Sequence, residues 1–142
     1  MRTRLIPHFT LVCAALVAAA ACGRKADARA GSSVSVSSID LGRSLKPDLK
    51  IDDNTATFRP ADVIYASVET KGSGSATLAA RWTFQDGQLV DESTRTISLN
   101  GNDPARTEFH LSKPGGWPVG KYHLVITLNG TTAGAKDFEV KQ

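Results

Sequence analysis

The chain has 142 residues, of which 41% are hydrophobic, 22% charged and 6% aromatic, enough for one globular core and too little for two. That balance excludes wholesale disorder. The formal net charge of +3 invites a nucleic-acid reading, but from Gly31 onward twelve basic side chains stand against thirteen acidic ones, which excludes a polycationic binder of nucleic acid.

Residues 1–21 read as an export signal. Arg2 and Arg4 supply the positive start, and Phe9 to Ala21 form an almost unbroken apolar run. As a helix that run reaches about 20 Å, short of the roughly 30 Å of hydrocarbon a membrane span must cross. The small residues Ala18-Ala19-Ala20-Ala21 lead directly into Cys22-Gly23. Here the sequence resembles a bacterial lipoprotein signal, with Ala19 where that family prefers Leu. The resemblance implies cleavage between Ala21 and Cys22 and lipid on the Cys22 sulfur. Ordinary cleavage after the Ala-x-Ala run, releasing a soluble protein, is the alternative. With two or three acyl chains such an anchor holds stably, at about 0.8 kcal/mol per buried methylene. The absence of an acidic residue after Cys22 favours the outer membrane, facing the periplasm.

Residues 22–33 comprise the candidate lipidated cysteine and a small, polar tether without apolar period. Arg24 and Lys25 are solvated tether charges on the plain reading, or contacts for anionic headgroups. Since Cys13 lies in the signal and Cys22 is blocked, the domain at 34–142 has no thiol and no disulfide and depends on its core alone.

From Val34 onward period two dominates. Val34 and Val36 change parity at Ile39 and Leu41, which predicts a bulge. Ile64, Ala66 and Val68 alternate with Tyr65, Ser67 and Glu69. Ala76, Leu78, Ala80, Trp82 and Phe84 share one face of the next strand; Ile97 pairs with Leu99, and Phe109 with Leu111. Tyr122, Leu124 and Ile126 alternate with Lys121, His123 and Val125, and Phe138 with Val140 closes the series. Asp86-Gly87 and Asn129-Gly130 are the residues of two-residue hairpin turns. The expectation is an all-β, two-sheet antiparallel sandwich of seven or eight strands.

Trp82 on the third main strand, and Gly120-Lys121-Tyr122 opening a late one, resemble the immunoglobulin-like and fibronectin-type sandwiches. That likeness implies a core tryptophan and a Tyr122 hydroxyl bonded to backbone just upstream. The segments Phe58 to Tyr65, Ala80-Arg81-Trp82 and Lys113 to Tyr122 are similar to uncharacterised proteobacterial lipoproteins, a likeness that implies fold and location without an activity.

The residues carry little chemistry. His110 and His123 are predicted to point outward on strands of opposite sheets, too few and too separated for a metal centre. Asp48, Asp52, Asp53 and Asn54 cluster, reading as a solvated loop or a weak cation site without the spacing of a calcium loop. The candidate binding residues are Trp117, Lys113 and Lys121, in Lys113-Pro-Gly-Gly-Trp-Pro-Val-Gly-Lys121. Trp117 either plugs the end of the core or stands out as a binding anchor. The sequence therefore predicts a non-catalytic envelope lipoprotein, an accessory or protein-interaction module. It would have no catalytic residue, metal or cofactor, and its partners would be the membrane, through Cys22, and an envelope protein rather than nucleic acid. A periplasmic hydrolase inhibitor, or a peptide- or glycan-binding module using the Trp117 loop, is the alternative.

Overall fold

A computed structural model describes residues 33–142; the signal, Cys22 and the remainder of the tether lie outside the described residues. Eight strands follow in order: β1 (Ser35–Gly42), β2 (Thr57–Phe58), β3 (Ile64–Lys71), β4 (Ser73–Phe84), β5 (Gln88–Asn100), β6 (Ala105–Leu111), β7 (Gly120–Leu128) and β8 (Thr131–Val140). They form a three-stranded sheet, β1-β3-β6, and a five-stranded sheet, β2-β8-β7-β4-β5. Ser33 already bonds to Ser73 through its backbone N–H at 2.9 Å, so the ordered body includes it.

The alternation in the sequence becomes the core. Ile39, Leu41, Ile64, Ala66, Val68, Phe109 and Leu111 from one sheet meet Leu78, Ala80, Trp82, Tyr122, Leu124, Ile126, Phe138 and Val140 from the other. Trp82 is fully buried, its ring edge-on to Phe138 at 5.8 Å between centroids. The parity change in β1 is a register shift between Val36 and Ser38 against β3, and it brings Ile39 and Leu41 into the core.

Three features depart from the sequence reading. The sandwich is not purely antiparallel: β2 pairs parallel with β8, Thr57 opposite Glu139 and Phe58 opposite Val140. The chain returns from β1 on the far side of the sandwich, and fully buried Phe58 holds β2 there by packing edge-on against Phe138 at 5.5 Å. The Asp86-Gly87 turn has three residues, because Phe84 pairs with Gln88. The Gln85 N–H continues the β7 ladder to the Lys121 carbonyl, and both Gln85 and Gly87 take positive φ. An irregularity opposite Trp82 and Thr83 then shifts the register of β5. The Asn129-Gly130 turn does have two residues, both at positive φ, as the primed hairpin turn requires.

The third departure is the segment between β1 and β2. It is no open loop but a small hairpin, with Leu45 bridged to Ile51 and the Lys46 N–H bonded to the Lys50 carbonyl. It folds over the outward side of β3, where the Ser67 hydroxyl donates to the Leu49 carbonyl at 2.6 Å. The close approach needs Gly42: a Cβ there would meet Ile51 Cγ2 at 2.2 Å and the Asp53 carbonyl oxygen at 2.3 Å.

Candidate functional site

The loop from Ser112 to Val119 lies between β6 and β7 at one end of the sandwich. Gly115 and Gly116 both have positive φ, which turns the chain back toward the loop between β2 and β3. There the Trp117 N–H bonds to the Pro60 carbonyl at 2.7 Å, and the indole Nε1–H donates to the Asp62 carbonyl at 3.0 Å. The ring is 7% exposed and edge-on to Tyr122 at 6.2 Å. Trp117 is therefore the plug of the core and not a presented anchor, since its ring is almost wholly buried and its donor is bonded inside the molecule. The Tyr122 hydroxyl donates to the Pro118 carbonyl at 2.7 Å, forming the expected tyrosine corner. Burial pushes the Tyr122 phenol upward, which keeps it the donor.

Asp62 ties this end together. Its carboxylate accepts the Arg59 N–H at 2.8 Å and Arg43 Nε at 2.9 Å. Burial alone would raise its pKa, but the Arg59 amide and the Arg43 guanidinium outweigh that and hold it below the usual carboxylate value. Arg43 also reaches Asp53 at 3.0 Å and the Thr57 carbonyl at 2.8 Å. No local pattern marks these roles, because the partners converge from separate segments.

Lys113 and Lys121 do not form one site. Lys113 borders a small groove with Phe84, Leu89, Val90, Trp117 and Pro118, whereas Lys121 borders an open depression of about 610 Å³ on the outer face of the five-stranded sheet. That depression also holds Thr57, Gln85, His123, Asp137 and Glu139. His123 Nδ1 is hydrogen-bonded to the Asp137 carboxylate, a pair that nothing in the sequence marked until Asp137 fell opposite His123 in the β7–β8 register. Opposite His123 on β4, the Thr83 hydroxyl donates to the His123 carbonyl at 3.4 Å. It is bound to backbone rather than to the imidazole, so the arrangement lacks the nucleophile–base contact of a hydrolytic triad.

His110, on the other sheet, bonds through Nδ1 to Glu108 at 2.9 Å. Each acidic residue of the 48–53 cluster has its own basic partner: Asp48 with Lys50, Asp52 with Lys46 and Asp53 with Arg43. The Lys50 backbone N–H holds the Asp48 carboxyl below its usual range. These carboxylates are spread along a hairpin rather than converging on one point, and among the described residues no three metal-ligating side chains come together.

No protein-family model and no curated protein sequence matches the chain. Among solved structures, an immunoglobulin-like protein from Pseudomonas aeruginosa superposes with a TM-score of 0.52 at 16% identity, covering 79% of this chain and 99% of that one. The alkylpurine DNA glycosylase AlkC of Pseudomonas fluorescens, bound to DNA containing an abasic site analogue, is similar with a TM-score of 0.49 at 13% identity, covering 80% of this chain. The chain spans 32% of the glycosylase's length. At 16% identity the likeness to the Pseudomonas aeruginosa protein is one of architecture alone: the chain folds as an immunoglobulin-like β-sandwich.

Proposed function

We propose that this protein is a lipoprotein of the bacterial cell envelope, held at the membrane through Cys22, whose sandwich is a non-catalytic accessory module for protein interaction. The observation that carries the reading is the disposition of polar groups. The space between the sheets is filled by apolar side chains, and the polar pairs His123–Asp137, His110–Glu108 and Arg106–Glu69 sit across neighbouring residues on the outer faces. A surface of this kind recognises by strand edges and shape, whereas small-molecule chemistry calls for convergent polar groups in a concavity. The lipobox-like run ending at Cys22 supports the anchor, and twelve residues separate that cysteine from the start of β1, a spacing that would keep the module close to the bilayer.

The test has two parts. Replacing Cys22 with Ser in the full chain should move the protein from the membrane pellet to the soluble periplasmic fraction, and unchanged membrane association would reject the anchor. Crosslinking in intact cells, followed by recovery of the tethered protein, should yield a defined envelope-protein adduct. Recovery of the uncrosslinked chain alone would count against the interaction role.

A further inference from the structure

The outermost strand of the five-stranded sheet, β5, is its longest, with 13 residues. Its backbone on the side away from β4 has no strand beside it among the described residues, and Asp91, Glu92, Thr94, Arg95 and Thr96 are all exposed. A long edge of this kind is a template for another strand, and proteins limit indiscriminate pairing by placing charges on it. Here the charges are specific in their spacing. Asp91, Ser93 and Arg95 lie opposite Trp82, Ala80 and Leu78 of β4, so they share the face turned toward the other sheet. Among the described residues, none of Asp91, Glu92 and Arg95 takes part in an ion pair. Asp91 and Arg95 stand about 13 Å apart along the strand, too far to satisfy each other. Arg95 instead reaches its neighbour's carbonyl, that of Thr94, and lies over the Phe109 ring at 5.6 Å.

We propose that this edge pairs with the β5 edge of a second copy of the chain, antiparallel about a two-fold axis at Ser93. In that register Asp91 of each copy falls directly opposite Arg95 of the other, on one face, with the two Ser93 residues between the two charge pairs. On the other face Glu92 of each copy meets Thr94. The neighbouring registers are worse. An axis at Asp91, Glu92 or Arg95 sets like charges directly opposite, which is destabilising across a strand pair, and an axis at Thr94 leaves both charges without a partner. An unrelated strand would have to bury its edge against an unmatched acid and base, so the same two residues that accept a second copy turn other strands away. The pairing is independent of the membrane anchor, because β5 and Cys22 are separate features of the chain.

Engineered disulfides in the full chain test this. Directly opposite residues bring their Cβ atoms close enough for a disulfide at the axis, so Ser93→Cys should give a covalent dimer on a non-reducing gel well above the background of the wild-type chain. Ser98→Cys, displaced from the axis, should not. Adding Asp91→Arg to Ser93→Cys should lower the dimer yield on the order of tenfold, and adding Arg95→Asp as well should restore it. Because the double exchange recovers the same charge pairs, rescue separates pairing from damage to the fold. Dimer no more abundant than in the wild-type chain, equal crosslinking at positions 93 and 98, or a yield indifferent to the Asp91→Arg change would overturn the proposal. Fractionation of the Cys22→Ser chain reads the anchor separately.

Discussion

On β3 the outward-facing Ser67 is fully enclosed, its hydroxyl on the Leu49 carbonyl and a further 3.2 Å contact from Arg106, whereas on β4 the outward-facing Thr77 and Arg81 are exposed. The same kind of position thus has opposite surroundings on the two sheets. The difference arises from the hairpin between β1 and β2, which lies over the three-stranded sheet around Ser67 and shelters that part of its outer face from water, while His110 on the same face stays exposed. There the polar groups are knitted together: Arg106 reaches Glu69 at 2.5 Å and Asp40 at 3.6 Å, with only 15% of its side chain exposed. On the five-stranded sheet the contacts are looser and local, such as the 3.0 Å pair of Ser75 and Ser98 hydroxyls. A sheltered polar group must find a partner inside the molecule, while an exposed one can rely on solvent.

The largest effect should come from the layer that the two sheets share. Trp82→Ala opens a cavity between them and should cost about 3–5 kcal/mol in urea unfolding; a loss below about 1 kcal/mol would mean that the sheets do not close on this ring. The comparison itself is sharpened by matched arginine replacements. Arg106→Met strands Glu69 beside Asp40 and should cost about 1–2 kcal/mol, whereas Arg81→Met should stay within about 0.5 kcal/mol. Equal losses would erase the distinction between the covered and open faces.

The smallest effect is one of pH. Asp62, which holds Arg43 and through it the covering hairpin, has a folded-state pKa below its unfolded value of about 3.9. Its stabilisation is therefore present above that unfolded value and is lost as pH falls through the depressed folded one. Asp62→Asn should flatten the acid limb of stability below about pH 4. An unchanged limb would assign the acid sensitivity to other carboxylates.

The two sheets differ as well in how far their contacts are legible in the sequence. Alternation around Trp82, Leu124 and Phe109 is a local signal, and it places the core, the two sheets and the outward histidines correctly. The tyrosine corner is implied by the resemblance of Gly120-Lys121-Tyr122 to the immunoglobulin-like sandwiches, and the Tyr122–Pro118 bond agrees with it. The covering hairpin was hidden because its defining contacts, Ser67 to Leu49 and Gly42 to Ile51, join residues with no shared periodicity. The parallel β2 was hidden because two residues are too few to show a pattern. Trp117 could be placed in the end loop but not oriented, since its burial depends on carbonyls at Pro60 and Asp62 supplied by another segment. The polar run from Asp91 to Thr96 obscured β5 as one continuous strand, and the same run is what makes its edge selective.

The two tryptophans divide the molecule into separately observable parts. Trp82 lies at the centre of the sandwich with its ring N–H unmatched by any acceptor among the described residues, while the Trp117 indole is bonded to a carbonyl at the rim. Their emission consequently carries two colours of information: a quencher admitted by fraying of the end loop dims Trp117 first, and Trp82 darkens only when the whole body opens. Replacing either indole with phenylalanine would turn the native chain into a reporter of one event alone.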